Sequence, residues 1–531
     1  MTDAASEAPG AAGAMDAVDA VDAVVIGSGP NGLVAATLLA RAGWSVIVVE
    51  RNDVAGGAVA SAGLTKPGYV HDPFSAFYGL LHFSPVFREL ELYRRVRWAS
   101  FELPAAAMVG PGRAAAVRAD PARTAEALAK LDVDDGGAWT DLYHWWTTIG
   151  RRFLDVILSP IPSVGPAARF LAAAGVSGTI DTTRMALAPA AVVARERFSS
   201  EEARALFVAG LSHSDVSVHD PAGTLAAIAL AMVAQSHNMP VPAGGAGRLA
   251  EGLVGALTEA GGRVLTGHEV TRVVVEGKRA VGVEASGGVS LRARRAVLAD
   301  AGPARLFLDL VGTEHLPPSF VRGVRRFRYG SGIFKLDLAL DGAARWDGED
   351  LDRCGVVHLT GDLDDMARTS TQVVIGELPD APMLIVGQPT VADPSRAPDG
   401  GHTLWLETHV PPRPRDGAWP EVCDRFLDRV LDRLEQHAPG LRSRIVAHAV
   451  RTPPDLEAAN PNLVDGDLGG GSNALDQQLV FRPVPGWFRY STPVRGLYLC
   501  SASTHPGGGV HGMVGRNCAR RVLRDAVIRR V

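Results

Sequence analysis

Six residues near the start of the chain have the types and spacing that bring a backbone against a pyrophosphate. Gly27-Ser28-Gly29-Pro30-Asn31-Gly32 is a G-x-G-x-x-G turn. Gly27 permits the tight turn, Gly29 lets phosphate approach the main chain, and Gly32 lets the following helix pack closely on the preceding strand. Pro30 and Asn31 complete the turn. Glu50, eighteen residues after Gly32, is placed to accept hydrogen bonds from a ribose. Its charge opposes a 2′-phosphate, so NADP is the least favoured dinucleotide.

These residues need elements to hold them, and the local pattern supplies them. Residues 23–26 read as a short buried strand, residues 33–40 as a helix ended by Gly43, and residues 45–49 as a second strand finishing at Glu50. That is a complete β-α-β unit with its glycines at the first strand-to-helix turn. The helix start offers unpaired N–H groups and a positive dipole end to phosphate. A second glycine pair, Gly56-Gly57, follows Glu50 and Arg51 and precedes Ala58, a loop suited to folding against the rest of a long cofactor.

The composition sets wider bounds. The chain has 531 residues, 47% hydrophobic and 21% charged, with a net charge of −5, so it reads as globular and offers no basic footprint for nucleic acid. Four cysteines without a C-x-x-C spacing exclude a thioredoxin-type redox pair and a cysteine-rich zinc site. Residues 1–21 read as a disordered leader without the features of a secretory signal. The longest apolar run, at 225–234, is too short to cross a bilayer. The expected location is cytoplasmic, with peripheral membrane contact open; oligomeric state is not legible.

Three dispersed segments share a resemblance. They are the opening 27–61, the glycine-rich 242–249 with the strand patterns 263–266, 270–275, 280–284 and 296–301, and the C-terminal strand 496–500 followed by Ser501-Ala502-Ser503-Thr504-His505-Pro506-Gly507-Gly508-Gly509-Val510-His511-Gly512-Met513-Val514-Gly515. Together they resemble the phytoene desaturase and amine oxidase superfamily of FAD-dependent oxidoreductases. The resemblance implies an FAD cofactor held by Gly27, Gly29, Pro30, Asn31, Gly32, Glu50, Arg51, Gly56, Gly57 and Ala58. It adds the backbone of Val270 on the adenine side, Ala299, Ser503, and Gly512, Met513 and Val514 at a helix start aimed at the flavin. The stretch 475–483 resembles the branch that includes beta-carotene ketolases and pyridine nucleotide-disulfide oxidoreductase domain 2 proteins.

The expected fold is α/β. A Rossmann-type FAD-binding domain is assembled from residues 22–95, 235–310 and 481–531. Residues 96–234 and 311–480 form an α+β substrate-binding domain, a mixed sheet plus helices. The first insertion reads as mostly helical, and its Pro-broken apolar stretch 154–178 as a buried helix-turn-helix or an apolar lid. Strands are expected at 332–340 and 402–409, with an amphipathic helix at 421–436.

Two side chains stand out as candidates for catalysis. Lys335 lies in an otherwise apolar strand, where an unpaired ammonium is costly; its setting resembles the amine oxidase segment whose lysine holds a water at flavin N5, while Asp337 on the same strand face offers a structural partner. His505 lies inside the C-terminal signature. His511, His213, His237, His71 and Tyr78 are weaker candidates. The resemblance implies dehydrogenation or double-bond rearrangement in an apolar substrate (a polyene, terpenoid, polyketide or acyl chain) by hydride transfer to flavin N5. A flavin amine oxidase and a non-catalytic FAD-binding scaffold are the alternatives.

Overall fold

The computed structural model describes residues 19–528. The leader expected over 1–21 lies outside the described residues up to residue 18. Residues 19–21 belong instead to the first strand, because they pair in parallel with Leu291, Arg292 and Ala293.

Two seven-stranded sheets organise the molecule. In the first, Asp19–Ile26 is flanked by Val46–Val49 on one side and Val289–Ala299 on the other, all parallel. Arg263–Leu265 extends it beyond Val46–Val49. Arg279–Ala285 and Val270–Glu276 add an antiparallel meander against the start of Val289–Ala299. Leu497–Leu499 pairs in parallel with the end of that same strand. The strands around the phosphate loop are β-branched and fully buried, as expected where both faces of a parallel sheet are covered. Helix Pro30–Arg41 covers one face together with helices Gly247–Glu259 and Met513–Ile528.

The second sheet runs in the order Ile445–Arg451, Gly332–Leu340, His402–Val410, Leu384–Gly387, Cys354–Leu359, Leu103–Gly110, Arg113–Val117. It is antiparallel except between Cys354–Leu359 and Leu103–Gly110. Alternation gives it two faces. Phe334, Leu336, Leu338, Leu404 and Leu406 pack against helix Trp419–His437. Ile333, Lys335, Asp337, Trp405, Glu407 and His409 belong to the other.

Two regions differ from the sequence reading. The segments Leu103–Gly110 and Arg113–Val117, within the insertion expected to be mostly helical, are strands. Alanine favours helices in isolation, but here small side chains suit positions pinned between sheet neighbours, and pairing overrides propensity. The apolar stretch 154–178 forms helix Arg151–Leu158 and the kinked helix Val164–Leu187, and these are not a buried pair. Val164, Leu171, Val176, Ile180 and Leu187 are all more than half exposed.

Candidate functional site

A cleft of about 1300 Å³, including its open mouth, joins the first sheet to the C-terminal segment. One end is lined by Glu50, Arg51, Asn52, Glu269 and Val270; the waist by Gly27, Gly29, Pro30, Asn31, Gly57 and Ala58; the far end by Gly470, Ser501–Ser503 and Gly507–His511. The phosphate turn, the ribose acid and the C-terminal signature, separated by more than 400 residues, therefore share one continuous wall.

The glycines are forced by close approach. A methyl at Gly57 would lie 3.1 Å from the Cα of Gly29, so the two glycine segments touch backbone to backbone. Gly27 has φ +85° and would press a Cβ to 2.9 Å from the Asp300 carbonyl oxygen. A Cβ on Gly29 would sit 2.5 Å from Asp300 Oδ2.

Asp300 is a site residue that motif reasoning misses. It follows the strand Val289–Ala299, and its Oδ2 accepts the Gly32 N–H at 2.8 Å, so a carboxyl already fills the strand side of the phosphate turn. Burial pushes its pKa up to about 7, against the lowering effect of the Gly32 N–H and with a further rise from Glu50. Its one sequence signal is an acidic residue ending a buried apolar run.

Glu50 is buried and held in place. Its Oε2 accepts from Ser28 N (2.9 Å) and Ser28 Oγ (2.6 Å), and its Oε1 from Asn52 N (2.9 Å). Gly56 N–H donates to the same Ser28 hydroxyl at 3.2 Å. One hydroxyl therefore links the phosphate turn, the ribose acid and the second glycine pair.

At the far end, Ser503 lines the cleft and its Oγ donates to the Gly470 carbonyl at 2.8 Å. His511, a weaker candidate by sequence, lines the cleft as well. Its Nδ1 accepts the Met513 N–H at 3.0 Å, which caps helix Met513–Ile528 and leaves the ring proton on Nε2. Burial holds this histidine at about 4, so it is neutral near pH 7. Gly515 packs its Cα face on the backbone of Asn31, and its N–H donates to Asn31 Oδ1 at 3.3 Å. The starts of helices Pro30–Arg41 and Met513–Ile528 therefore meet. Gly32, Gly56, Ala299, Gly512, Met513 and Val514 stand behind the wall and outside the lining; Ala299 lies in the strand that ends at Asp300, and Met513 and Val514 are core residues.

Residues 25–90 match the family model of an NAD(P)-binding Rossmann-like domain. Pyridine nucleotide-disulfide oxidoreductase domain-containing protein 2 of Mus musculus is 29% identical, over 94% of this chain and 93% of its own. A limonene dehydrogenase polypeptide of Castellaniella defragrans is 25% identical over 94% of both chains. The neurosporene-forming phytoene desaturase of Cereibacter sphaeroides is 24% identical over 93% of this chain and 92% of its own. Among solved structures, putrescine oxidase superposes with a TM-score of 0.58 at 16% identity, covering 96% of this chain and 100% of that one. The chain is similar over nearly its whole length to desaturase- and dehydrogenase-type oxidoreductases, and it shares the fold of putrescine oxidase.

In this oxidoreductase neither catalytic candidate lines the cleft. Lys335 is fully buried; its ammonium donates to Asp337 Oδ1 at 2.6 Å and lies 5.0 Å from the centre of the Trp405 ring. The internal ion pair, the structural alternative for this lysine, is what forms. His505 donates from Nε2 to the Ser159 carbonyl at 2.9 Å. It thereby ties the C-terminal loop to the end of helix Arg151–Leu158, a positioning contact that occupies the ring nitrogen on that side. Tyr78 is buried under Ser75, His71 faces Thr65 and Asp337, and His213 meets His358.

Proposed function

We propose that the cleft holds FAD and that the enzyme takes hydride from carbon in an apolar substrate. The continuity of the wall carries this reading. An extended dinucleotide fits a cleft that begins at Glu50 and Val270, narrows at touching glycine backbones and ends at the C-terminal signature. NAD would leave the far, C-terminal third of that wall without a purpose.

Glu50 would hold the adenosine ribose, the N–H groups at the start of helix Pro30–Arg41 the pyrophosphate, and residues 507–511 the ring end. Bound FAD supplies a two-electron acceptor for hydride. The protein's share is binding, orientation and exclusion of water. His511, neutral and fixed by Met513, stands at that end. The converging helix starts favour negative charge nearby.

An apolar substrate is supported by the hairpin of helices Arg151–Leu158 and Val164–Leu187. It exposes Val164, Leu171, Val176, Ile180 and Leu187 among the charges of Arg169, Asp181 and Arg184, and it is fastened beside the C-terminal loop by His505 to Ser159 and by Asn517 Nδ2 to the Leu158 carbonyl (3.0 Å). The same residues offer a surface for peripheral contact with a membrane that stores such a substrate; among the described residues no helix is long and apolar enough to cross one. Limonene dehydrogenase and phytoene desaturases, by their names, act on hydrocarbons, which agrees with this reading.

Anaerobic titration of the FAD-loaded protein tests it. Bleaching of the flavin bands by polyenes or terpenes, and not by primary amines, is expected. Bleaching by amines alone would overturn the reading in favour of an amine oxidase. A flavin that no apolar donor reduces would favour a non-catalytic scaffold.

A further inference from the structure

The second sheet carries polar groups on its inner face that the cofactor cleft does not use. On strand His402–Val410 the odd-numbered residues Thr403, Trp405, Glu407 and His409 share that face, opposite to Leu404 and Leu406. Glu407 stands directly across from Lys335 on one neighbouring strand and from Ile385 on the other. His409 stands across from Ile333.

Most buried charges here are satisfied inside the protein. Lys335 pairs with Asp337, and Arg396 pairs with both Asp72 and Asp393. Glu407 and His409 are different. Glu407 is 7% exposed, and its Oε1 is buried without a hydrogen-bond partner. His409 Nδ1 shares a 2.6 Å hydrogen bond with Ser331 Oγ, but its Nε2 is buried and unpartnered too. The Ser212 carbonyl and Asp215 face the ring without meeting Nε2 in bonding geometry.

Native proteins rarely leave such atoms unpaired, because each forfeits its solvation. Three such atoms, on Thr403, Glu407 and His409, share one strand face, and the last two, about 7 Å apart along the strand, mark a place built to receive a partner. Neither residue lines the cleft, but one apolar cluster joins that place to the cleft wall. Ile333, directly opposite His409, belongs to the same apolar cluster as Leu463 and Leu468, which line the cleft beside Gly470.

We propose that Glu407 and His409 receive an uncharged oxygen function, a hydroxyl or carbonyl, on an otherwise apolar substrate. The inference rests on the apolar-substrate reading above and narrows it: the preferred substrate is an oxygenated terpenoid or polyene, not a pure hydrocarbon. Burial holds the Glu407 carboxyl up at about 8, with Lys335 lowering it and Asp337 raising it, so near pH 7 it is a hydrogen-bond donor. Burial also keeps the His409 ring neutral. A neutral donor beside a neutral imidazole suits a neutral oxygen and gives no counter-charge to an ammonium or a carboxylate.

All-trans-retinol and axerophtene, the hydrocarbon with the same polyene and no oxygen, make a matched pair of probes. Their binding to the FAD-loaded full chain is read from perturbation of the flavin spectrum and quenching of tryptophan fluorescence. Retinol is expected to bind at least about tenfold more tightly. Glu407→Leu should bring the ratio near one, while Glu407→Gln, which still donates a hydrogen bond, keeps most of it. If Glu407→Leu does not fold, His409→Phe carries the same test. Equal affinities in the wild type, or a ratio untouched by Glu407→Leu or by His409→Phe, would overturn the inference and leave the apolar reading standing. Failure of both probes to bind would remove the apolar reading itself, and the inference with it.

Discussion

Two buried aspartates show how differently the two sheets treat charge. Asp337, on the inner face of the second sheet, is met by a side-chain cation, Lys335, at 2.6 Å. Asp300, at the rim of the first sheet, is met by a backbone N–H from Gly32 and has no ion-pair partner among the described residues. On the second sheet the buried carboxylate is cancelled by a neighbouring ammonium. At the phosphate turn of the first sheet the buried carboxyl meets a backbone N–H, and the helix start beside it favours an anionic ligand. Glu407 and His409, together with Thr403, Thr408 and Arg451, depart from this internal pairing on the second sheet.

The largest effect should come from breaking the closed pair. Lys335→Met leaves Asp337 buried and uncompensated, at a cost of about 3–5 kcal/mol, measurable by urea unfolding. Adding Asp337→Leu should restore much of that loss. If Lys335 acted at the cofactor instead, Lys335→Met would alter flavin reduction while stability held.

Asp300 should act next, through pH. Its folded pKa is raised from 3.8 to about 7, so the stability linked to its protonated form is fully present below about 3.8. That stability is lost progressively as pH rises towards 7, and the loss is complete above it. The expected loss is on the order of 4 kcal/mol. Asp300→Asn removes that slope, so thermal unfolding of the apoprotein against pH should flatten between pH 4 and 7 relative to wild type. Identical pH profiles would mean that the carboxyl is not held neutral at the turn.

Gly29→Ala should then weaken FAD binding by about 1–3 kcal/mol, because the new methyl meets Asp300 Oδ2. In Gly29→Ala combined with Asp300→Ala, part of the affinity should return. The smallest effect is expected from His505→Gln. Loss or weakening of one hydrogen bond to Ser159 costs about 1 kcal/mol by thermal unfolding. The pH profile of turnover should stay unchanged, which separates a positioning role from proton transfer.

The same contrast explains what can be read in the sequence. The phosphate turn, Glu50 and the second glycine pair are legible because each belongs to a short contiguous pattern with local backbone demands. The C-terminal signature is legible for the same reason. Asp300 is hidden because its partner, Gly32, lies 268 residues away. His511 is only half legible: the C-terminal signature marks it as a candidate, but its capping contact to Met513 looks, in sequence, like any histidine beside a glycine. The alanine-rich strand Leu103–Gly110 does not stand out within an insertion of mostly helical pattern, because its parallel partner, Cys354–Leu359, comes 251 residues later. The closed Lys335–Asp337 pair is half legible: i, i+2 spacing places both on one strand face, but only the packed sheet shows that they meet.

The most direct test of the central claim is the FAD stoichiometry of the purified chain by visible absorbance, compared with that of Glu50→Ala. The account predicts a yellow protein with one FAD per chain, and a Glu50→Ala variant that retains its fold but loses FAD on gel filtration. A colourless wild-type protein that takes up no FAD, or a variant that retains it as tightly, would contradict the assignment of the cleft.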